Sequence, residues 1–409
     1  MFTFGKTFFN MNSIKNVVVV GLGYIGLPTA AIIARNNLNV TGVDVNSDIV
    51  NTINKGKIHI VEPELDGLVK SVVDKKMLQA STQPSKADVF VIAVPTPFKG
   101  DHEPDITYVE KATLSIIPFL KEGDIYILES TSPIGTTDKM ANLIFEKRPE
   151  LKNKISIAYC PERVLPGNVI HELVNNDRVI GGIDEPSTEK ACNFYRFFVK
   201  GELHKTNAKT AEMCKLTENS FRDLNIAFAN ELSIICDKAG INVWDLIKLA
   251  NKHPRVNILQ PGTGVGGHCI AVDPWFIVSD YKEEAKMIRS SRERNLYKTE
   301  WVIEKIEEAI RSFNGAPTIA FMGLAFKPDI DDLRESPAIE VVEHFIKKFA
   351  KNSLIVEPNV SKHKEFELTN YNEAYAKADI VVFLVAHKEF KILSKTENKT
   401  ELDFCGVRR

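Results

Sequence analysis

The chain has 409 residues, 44% of them hydrophobic and 26% charged, with a formal net charge of -2. Such a composition belongs to a soluble globular protein long enough for two or three domains, and it excludes a disordered or fibrous chain. The near-neutral balance gives no reason to expect nucleic acid or an anionic membrane as a partner.

The opening stretch "MFTFGKTFFNMNSIK" has no sustained apolar core and no small-residue cleavage site, so it is not read as a signal peptide. Residues 1–13 read as a loose leader to the first strand, with Met11 as an alternative start. No apolar run approaches the ~20 residues that cross a bilayer. Six cysteines (Cys160, Cys192, Cys214, Cys236, Cys269 and Cys405) are scattered without a CxxC pair. That scatter suits a reducing cytoplasm better than a disulfide framework. No metal site is expected.

"IKNVVVVGLGYIG" begins as a β-branched buried strand and breaks into glycines, and the helical "PTAAIIARNN" and the strand "NVTGVDVN" follow. Gly21, Gly23 and Gly26 form GxGxxG, with Asp44 at the end of the second strand. A lone GxGxxG also fits a plain glycine turn, but strand, helix and acidic residue together are the context of a dinucleotide site. The helix N-terminus would meet the pyrophosphate. Asp44 would accept from the adenosine ribose and repel a 2′-phosphate, so NAD is expected rather than NADP. Tyr24 and Ile25 within the fingerprint, and Thr96 beyond it, are taken as further cofactor contacts. Pro28 falls in the first helical turns, where its missing N–H costs little.

"ADVFVIAVPTP" and "GDIYILESTSPIGTT" repeat the pattern of apolar strand and polar loop, and "KISIAYCPER" and "DRVIGGI" read as two more strands. Strands alternating with helices imply right-handed βαβ units and a mainly parallel sheet. Near residue 209 the character changes. "KTAEMCKLTENSFRDLNIAFANELSIICDKAG" predicts a long helix stopping at Gly240, and "VWDLIKLANK" and "KMIRSSRERNLYKTEWVIEKIEEAIRSF" predict further helices. A sheet pattern returns in "PTIAFMGLAFKP", "SLIVEPN" and "ADIVVFLVAHKEF". The expected fold is α/β: two Rossmann-like doubly wound domains joined by a central helical domain. The expected boundaries are 1–205, 206–312 and 313–409.

In "PGTGVGGHCIAVDP", residues 261–274, four glycines precede Cys269. The other five cysteines read as buried and inert. Cys269 reads as presented, on a loop whose missing side chains let a bulky substrate near the sulfur; thiolate is its reactive form. Beside NAD, a thiol nucleophile suggests attack on an aldehyde, hydride loss from the thiohemiacetal and release of an acid from the thioester.

"GLGYIGLP", "ESTSPIGTT", "CPERVLPG", "EMCKLTENSFRDLNIAFANEL", "GVGGHCIAVDP" and "GLAFKPDIDDLRESP", in this order across almost the whole chain, closely resemble the nucleotide-sugar 6-dehydrogenases of the UDP-glucose/GDP-mannose dehydrogenase group. "IHIVEPEL", "VPTPFKGDHEPD" and "HPRVNILQPG" are similar to the bacterial branch acting on UDP-N-acetyl-D-mannosamine. The resemblance implies two NAD-dependent oxidations at C6 of the sugar, yielding a uronate for surface polysaccharide. It implies Cys269 as nucleophile, and Lys215 and Asn219, four apart on one helix face, as holders of the reacting oxygen. Without the resemblance, Lys215 reads as a solvated helix lysine and Asp273 as a turn former before Pro274. With it, Asp273 is matched to a carboxylate that binds or activates water, Glu162 to the hydrolytic step, and Thr131 to cofactor and water. Arg163, Val164, Arg222, His253, Arg255, Gly266 and Lys327 match sugar-nucleotide contacts, and Arg334 matches a cofactor contact. The paired donors of arginine suit a diphosphate. His268 is treated as structural, and Thr263 stands where relatives carry proline. The central helices are expected to form a homodimer, with the HPR segment reaching the partner's site. Two rivals stand beside this reading: the same chemistry on UDP-glucose, UDP-N-acetylglucosamine or GDP-mannose, and a non-catalytic NAD-binding regulator.

Overall fold

A computed structural model describes residues 14–409 except 61, 101, 165, 166 and 268. The readings of residues 1–13, of Met11 and of His268 lie outside the described residues. The chain divides into two compact units, Met1–Thr217 and Glu218–Arg409, with the division inside one long helix, Ala208–Ala239.

The first unit is built on strands β1 (Asn16–Val20), β2 (Asn39–Val43), β3 (Leu78–Ser81) and β4 (Val89–Ile92). A two-stranded antiparallel ribbon follows, β5 (Phe98–Lys99) and β6 (Glu103–Pro104). The main sheet continues with β7 (Ile125–Leu128), β8 (Ser156–Tyr159), β9 (Arg178–Gly182) and β10 (Leu203–Asn207). Its order is β10-β9-β8-β7-β4-β1-β2-β3. β3, β2, β1, β4, β7 and β8 are parallel, and their order is that of the dinucleotide-binding doubly wound fold. β9 pairs antiparallel with β8, and β10 follows β9 in parallel. Side chains of β1 alternate between two cores, as strand geometry requires. Val17 and Val19 join Leu27, Ala30 and Ile33 on one face, while Val18 and Val20 join Phe90, Val109 and Met140 on the other.

The long helix ends at Ala239 with Gly240 at φ +67, where the Ile241 N–H returns to the Cys236 carbonyl. This is the left-handed glycine stop that the sequence predicts. Helices Val243–Ala250, Asp273–Asp280 and Lys286–Ser312 precede four parallel strands: β11 (Ile319–Met322), β12 (Ser353–Val356), β13 (Ile380–Phe383) and β14 (Thr400–Asp403). Their order is β12-β11-β13-β14. Val302 and Ile306 of the Lys286–Ser312 helix enter the core of this sheet with Phe321 and Phe345, so these helices and the second sheet pack as one body.

Three outcomes differ from expectation. β3, β10 and β14 carry no long apolar run and were not among the expected strands; each lies at a sheet edge, where one side of the ladder stays open. Asp273 begins a helix rather than forming a turn before Pro274; proline is tolerated in the first helical turn, where its missing N–H is no loss. Cys160, Cys192 and Cys236 are buried, but Cys214 and Cys405 are only partly so. No described helix is long and apolar enough to cross a membrane.

Candidate active site

The dinucleotide fingerprint is built at the carboxyl ends of β1, β2 and β4. Gly21 has φ +93, and a Cβ there would lie 2.5 Å from the Ala93 carbonyl oxygen. A Cβ at Gly26 would lie 1.8 Å from the Gly21 oxygen, so the helix Gly26–Arg35 starts hard against the turn. A Cβ at Gly23 would meet nothing within 4 Å, which leaves one open backbone position at a helix start that no side chain caps. The partial positive charge of the helix N-terminus suits a pyrophosphate. The Leu22 N–H donates to Asp44 Oδ2 at 3.0 Å and the Asn46 N–H to Oδ1 at 2.9 Å. A carboxylate has about four acceptor positions, so Asp44 keeps capacity for ribose hydroxyls. Tyr24 is exposed and Ile25 half-buried beside this turn. These residues fit NAD.

Sequence reasoning missed two neighbours of Asp44. Val45 is 96% exposed, a bare apolar surface next to the carboxylate. His59 packs against the Leu22 backbone; burial pushes its imidazole below the ordinary range, and the Asp44 charge works against that shift. Val45 lies in "NVTGVDVN" and His59 in "IHIVEPEL", but no spacing along either stretch marks them as neighbours of the carboxylate.

Further along the same edge, Thr96 Oγ1 donates to the Thr131 carbonyl at 2.6 Å, joining two expected cofactor contacts. Leu128 pairs with Tyr159 across β7 and β8, so Thr131 and Glu162 each stand three residues beyond a paired position on neighbouring strands. Glu162 is buried. Its Oε1 accepts from the Arg163 N–H at 2.6 Å and its Oε2 from Arg178 Nη2 at 2.9 Å. Arg163 Nη1 donates to the Asp177 carbonyl at 3.5 Å, and Val164 packs on the sheet core.

Lys215 and Asn219 lie one turn apart on the long helix, the first partly buried and the second buried. Asn219 Nδ2 donates to Asp273 Oδ2 at 2.5 Å. Asp273 opens the helix Asp273–Asp280, and its N–H donates to the Cys269 carbonyl at 2.8 Å. Three expected residues are therefore linked, Asn219 to Asp273 by their side chains and Asp273 to Cys269 across one turn of backbone, with Cys269 exposed. The glycines before the thiol serve a further purpose. A Cβ at Gly266 would lie 2.3 Å from the Glu335 oxygen, and one at Gly267, where φ is +83, would lie 2.9 Å from the Phe326 ring. At these two positions the missing side chain admits protein, namely the segment after β11, rather than a ligand. Thr263 is buried and its hydroxyl donates to the Leu384 carbonyl at 2.7 Å.

The remaining expected contacts are spread more widely. Arg222 and Lys327 are exposed. His253 and Arg255 lie on an exposed loop closed by Asn251, whose side chain both accepts from the Ile258 N–H and donates to its carbonyl. Arg334 makes a two-point pair with Asp332, 2.8 and 2.6 Å, and its carbonyl accepts from the Gly267 N–H. A cavity of about 420 Å³ opens where β11 and β13 end, the switch point of the second sheet, lined by Gly262, Phe326, Pro337 and Leu384. Ligands of open α/β sheets bind at such points. Lys391 and Arg409 also line it, and neither was singled out in the sequence.

Comparison with known proteins agrees with this division of labour. The NAD-binding domain profile of the UDP-glucose/GDP-mannose dehydrogenase family matches residues 15–199, its central domain 209–297 and its UDP-binding domain 320–405. The UDP-N-acetyl-D-mannosamine dehydrogenase of Campylobacter jejuni is 57% identical over 97% of this chain and 100% of its own. An NDP-N-acetyl-D-galactosaminuronic acid dehydrogenase of Ralstonia nicotianae is 51% identical over 96% of each chain. The solved structure of a UDP-D-ManNAc dehydrogenase from Pyrococcus horikoshii superposes with a TM-score of 0.88 at 38% identity, covering 96% of both chains.

Proposed function

Because the chain belongs to the UDP-glucose/GDP-mannose dehydrogenase family, we propose that it oxidises C6 of UDP-N-acetyl-D-mannosamine twice, to the mannosaminuronate, with two NAD consumed. The observation that carries this reading is Cys269, exposed on its loop and hydrogen-bonded through its backbone to the residue that holds Asn219. In this reading residues 1–205 hold NAD, 206–312 carry the thiol, and 313–409 hold the nucleotide.

Gly21, Gly23, Gly26, Asp44, Thr96 and Thr131 would hold NAD, which would supply the hydride acceptor for each oxidation. The Cys269 sulfur adds to the C6 aldehyde formed by the first oxidation, and the new C–S bond leaves a negative oxygen. The Lys215 ammonium and the Asn219 amide hold that oxygen, the kind of fixed donor pair that stabilises developing charge most. Loss of hydride from the same carbon leaves a thioester. Water adds to it, the C–S bond breaks with its electrons on sulfur, and a carboxylate departs. Asp273 orients Asn219, and the hydrolytic role falls to Glu162 and Thr131. Arg163, Val164, Arg222, Gly266 and Lys327 hold the sugar nucleotide, and Arg334 the cofactor. Such a uronate is a building block for surface polysaccharide, and scattered unpaired-by-spacing cysteines suit enzymes of the cytoplasm.

A panel of nucleotide sugars tests the substrate. UDP-N-acetyl-D-mannosamine is expected to give two NADH per sugar and the highest kcat/KM. Equal or faster turnover of UDP-glucose, UDP-N-acetylglucosamine, GDP-mannose or UDP-N-acetyl-D-galactosamine, the last suggested by the Ralstonia relative, would overturn the assignment. A ratio of one with free aldehyde would overturn the double oxidation.

The enzyme acts as a homodimer through its central helices. Phe221, Phe228 and Ile235 recur every seventh residue on the long helix and are 66%, 50% and 54% exposed. An apolar stripe of that kind calls for a partner helix. Sedimentation is expected to give twice the chain mass of 45.9 kDa, and Phe228→Glu is expected to give the monomer. If the wild-type chain sediments as a monomer, the dimer is wrong. In this reading the exposed His253–Arg255 loop completes the partner's site, so the Phe228→Glu monomer is also expected to lose activity.

A further inference from the structure

We infer that Arg178 is the positioning residue of Glu162, its buried guanidinium fixing the carboxylate that acts on the thioester. The inference rests on the role proposed for Glu162 above. β9 runs antiparallel to β8, so Arg178, the first residue of β9, comes to the sheet edge where Cys160 and Glu162 leave β8. Arg178 is only 4% exposed. Its Nη2 donates to Glu162 Oε2 at 2.9 Å and to the Leu173 carbonyl at 3.3 Å, and its Nη1 points to Cys160 Sγ at 3.8 Å. The Tyr195 ring lies 5.0 Å beneath it. With the Arg163 N–H on Oε1, both oxygens of Glu162 have fixed donors.

A second carboxyl faces the same cation. Glu129, immediately after β7, is 3% exposed. Its Oε1 accepts from the Tyr195 hydroxyl at 2.6 Å, while its Oε2 has no hydrogen-bond partner. Burial pushes Glu129 up to about 7, against the pull of Arg178. Of the two carboxyls, Glu162 is the one bonded to Arg178. An arginine suits this place because its planar fork cannot lose its proton and can hold a carboxylate and a carbonyl together. A buried pair of this kind adds little net stability over apolar packing, whereas at a sheet edge that ends in substrate loops it sets one carboxylate in one orientation. When water adds to the acyl carbon, its proton passes to Glu162, and a wandering carboxylate would take it poorly.

The test uses the full-length enzyme with UDP-N-acetyl-D-mannosamine and excess NAD. It follows the first-turnover NADH burst, the acyl-enzyme by intact mass, and steady-state kcat and KM. Glu162→Gln is expected to slow acyl-enzyme breakdown by ~100-fold, the scale of a lost proton acceptor. Arg178→Met is expected to slow the same step by ~10-fold or more while KM and the burst stay within ~2-fold. The double variant should be no slower than Glu162→Gln alone, because the arginine acts only through the glutamate. If Arg178→Met does not fold, as buried-charge removal can cause, Arg178→Lys carries the measurement. It keeps the charge but cannot span both acceptors, and the same step should slow by a smaller factor. Arg178 is overturned alone if its variants leave breakdown at the wild-type rate, slow the burst equally, or add fully to Glu162→Gln while that variant behaves as expected. If Glu162→Gln breaks down its acyl-enzyme normally, the role of Glu162 falls, and that of Arg178 with it.

Discussion

Replacing Cys269 with alanine is expected to abolish acid formation, lowering kcat by about four orders of magnitude or more, while NAD binds as before. The size follows from the chemistry. Without sulfur there is no covalent carbon from which the second hydride can leave as a thioester forms, so at most a first oxidation remains. The selectivity follows from the structure. Cys269 serves the local fold through its carbonyl, which accepts from the N–H groups of Val272 and Asp273 at 3.1 and 2.8 Å. Alanine retains that carbonyl, and the short helix Asp273–Asp280 keeps its start and the Asn219–Asp273 bond. Titration calorimetry with NAD and product analysis by mass spectrometry check the two halves separately. Uronate formed at an undiminished rate would rule out the covalent route. Tight NAD binding with no turnover in the wild-type enzyme would instead favour the regulator reading.

How far the sequence announced this arrangement depended on whether a feature was local along the chain. Inner strands such as "VVVV" and "IVVF" are buried on both faces of a parallel sheet and so read as apolar runs. The edge strands "LQAS", "LHKTN" and "TELD" have one open side, carry mixed residues and escape that signal. The helix Asp273–Asp280 is buried around most of its circumference, so it shows no periodicity. At the site, the glycine fingerprint and Asp44 were legible because strand, turn and helix follow one another. Of the Arg178, Glu129, Tyr195 and Glu162 cluster only Glu162 was legible, through the resemblance of "CPERVLPG", since its three neighbours come from separate elements across a sheet. The thiol loop falls between. Its glycines suggested access for a substrate, but two of them are explained by Phe326 and Glu335, contacts some sixty residues away in sequence that no local pattern could reveal.

The fingerprint glycines yield a second large effect, and two variants separate its causes. Gly26→Ala is expected to lose NAD binding and fold stability together. The new Cβ would lie 1.8 Å from the Gly21 oxygen where about 3.4 Å is needed, so ~1.6 Å must be found by moving backbone. Gly21 cannot yield easily, because its N–H donates to the Val43 carbonyl at 2.8 Å and its own Cα faces Ala93. The helix must therefore shift away from the turn, taking with it the N–H groups that would meet the pyrophosphate. A drop of ~100-fold or more in NAD affinity is expected, with a stability loss of at least the ~1–3 kcal/mol typical of overpacking. Gly23→Ala is the contrasting case. Its Cβ meets no protein atom within 4 Å, so thermal unfolding should match the wild-type chain, yet the methyl group would occupy the space through which the pyrophosphate approaches. Calorimetry should show NAD affinity falling by a similar factor with no change in melting temperature. If Gly23→Ala binds NAD at wild-type strength, the dinucleotide does not lie across this turn, and the open backbone position there has some other use.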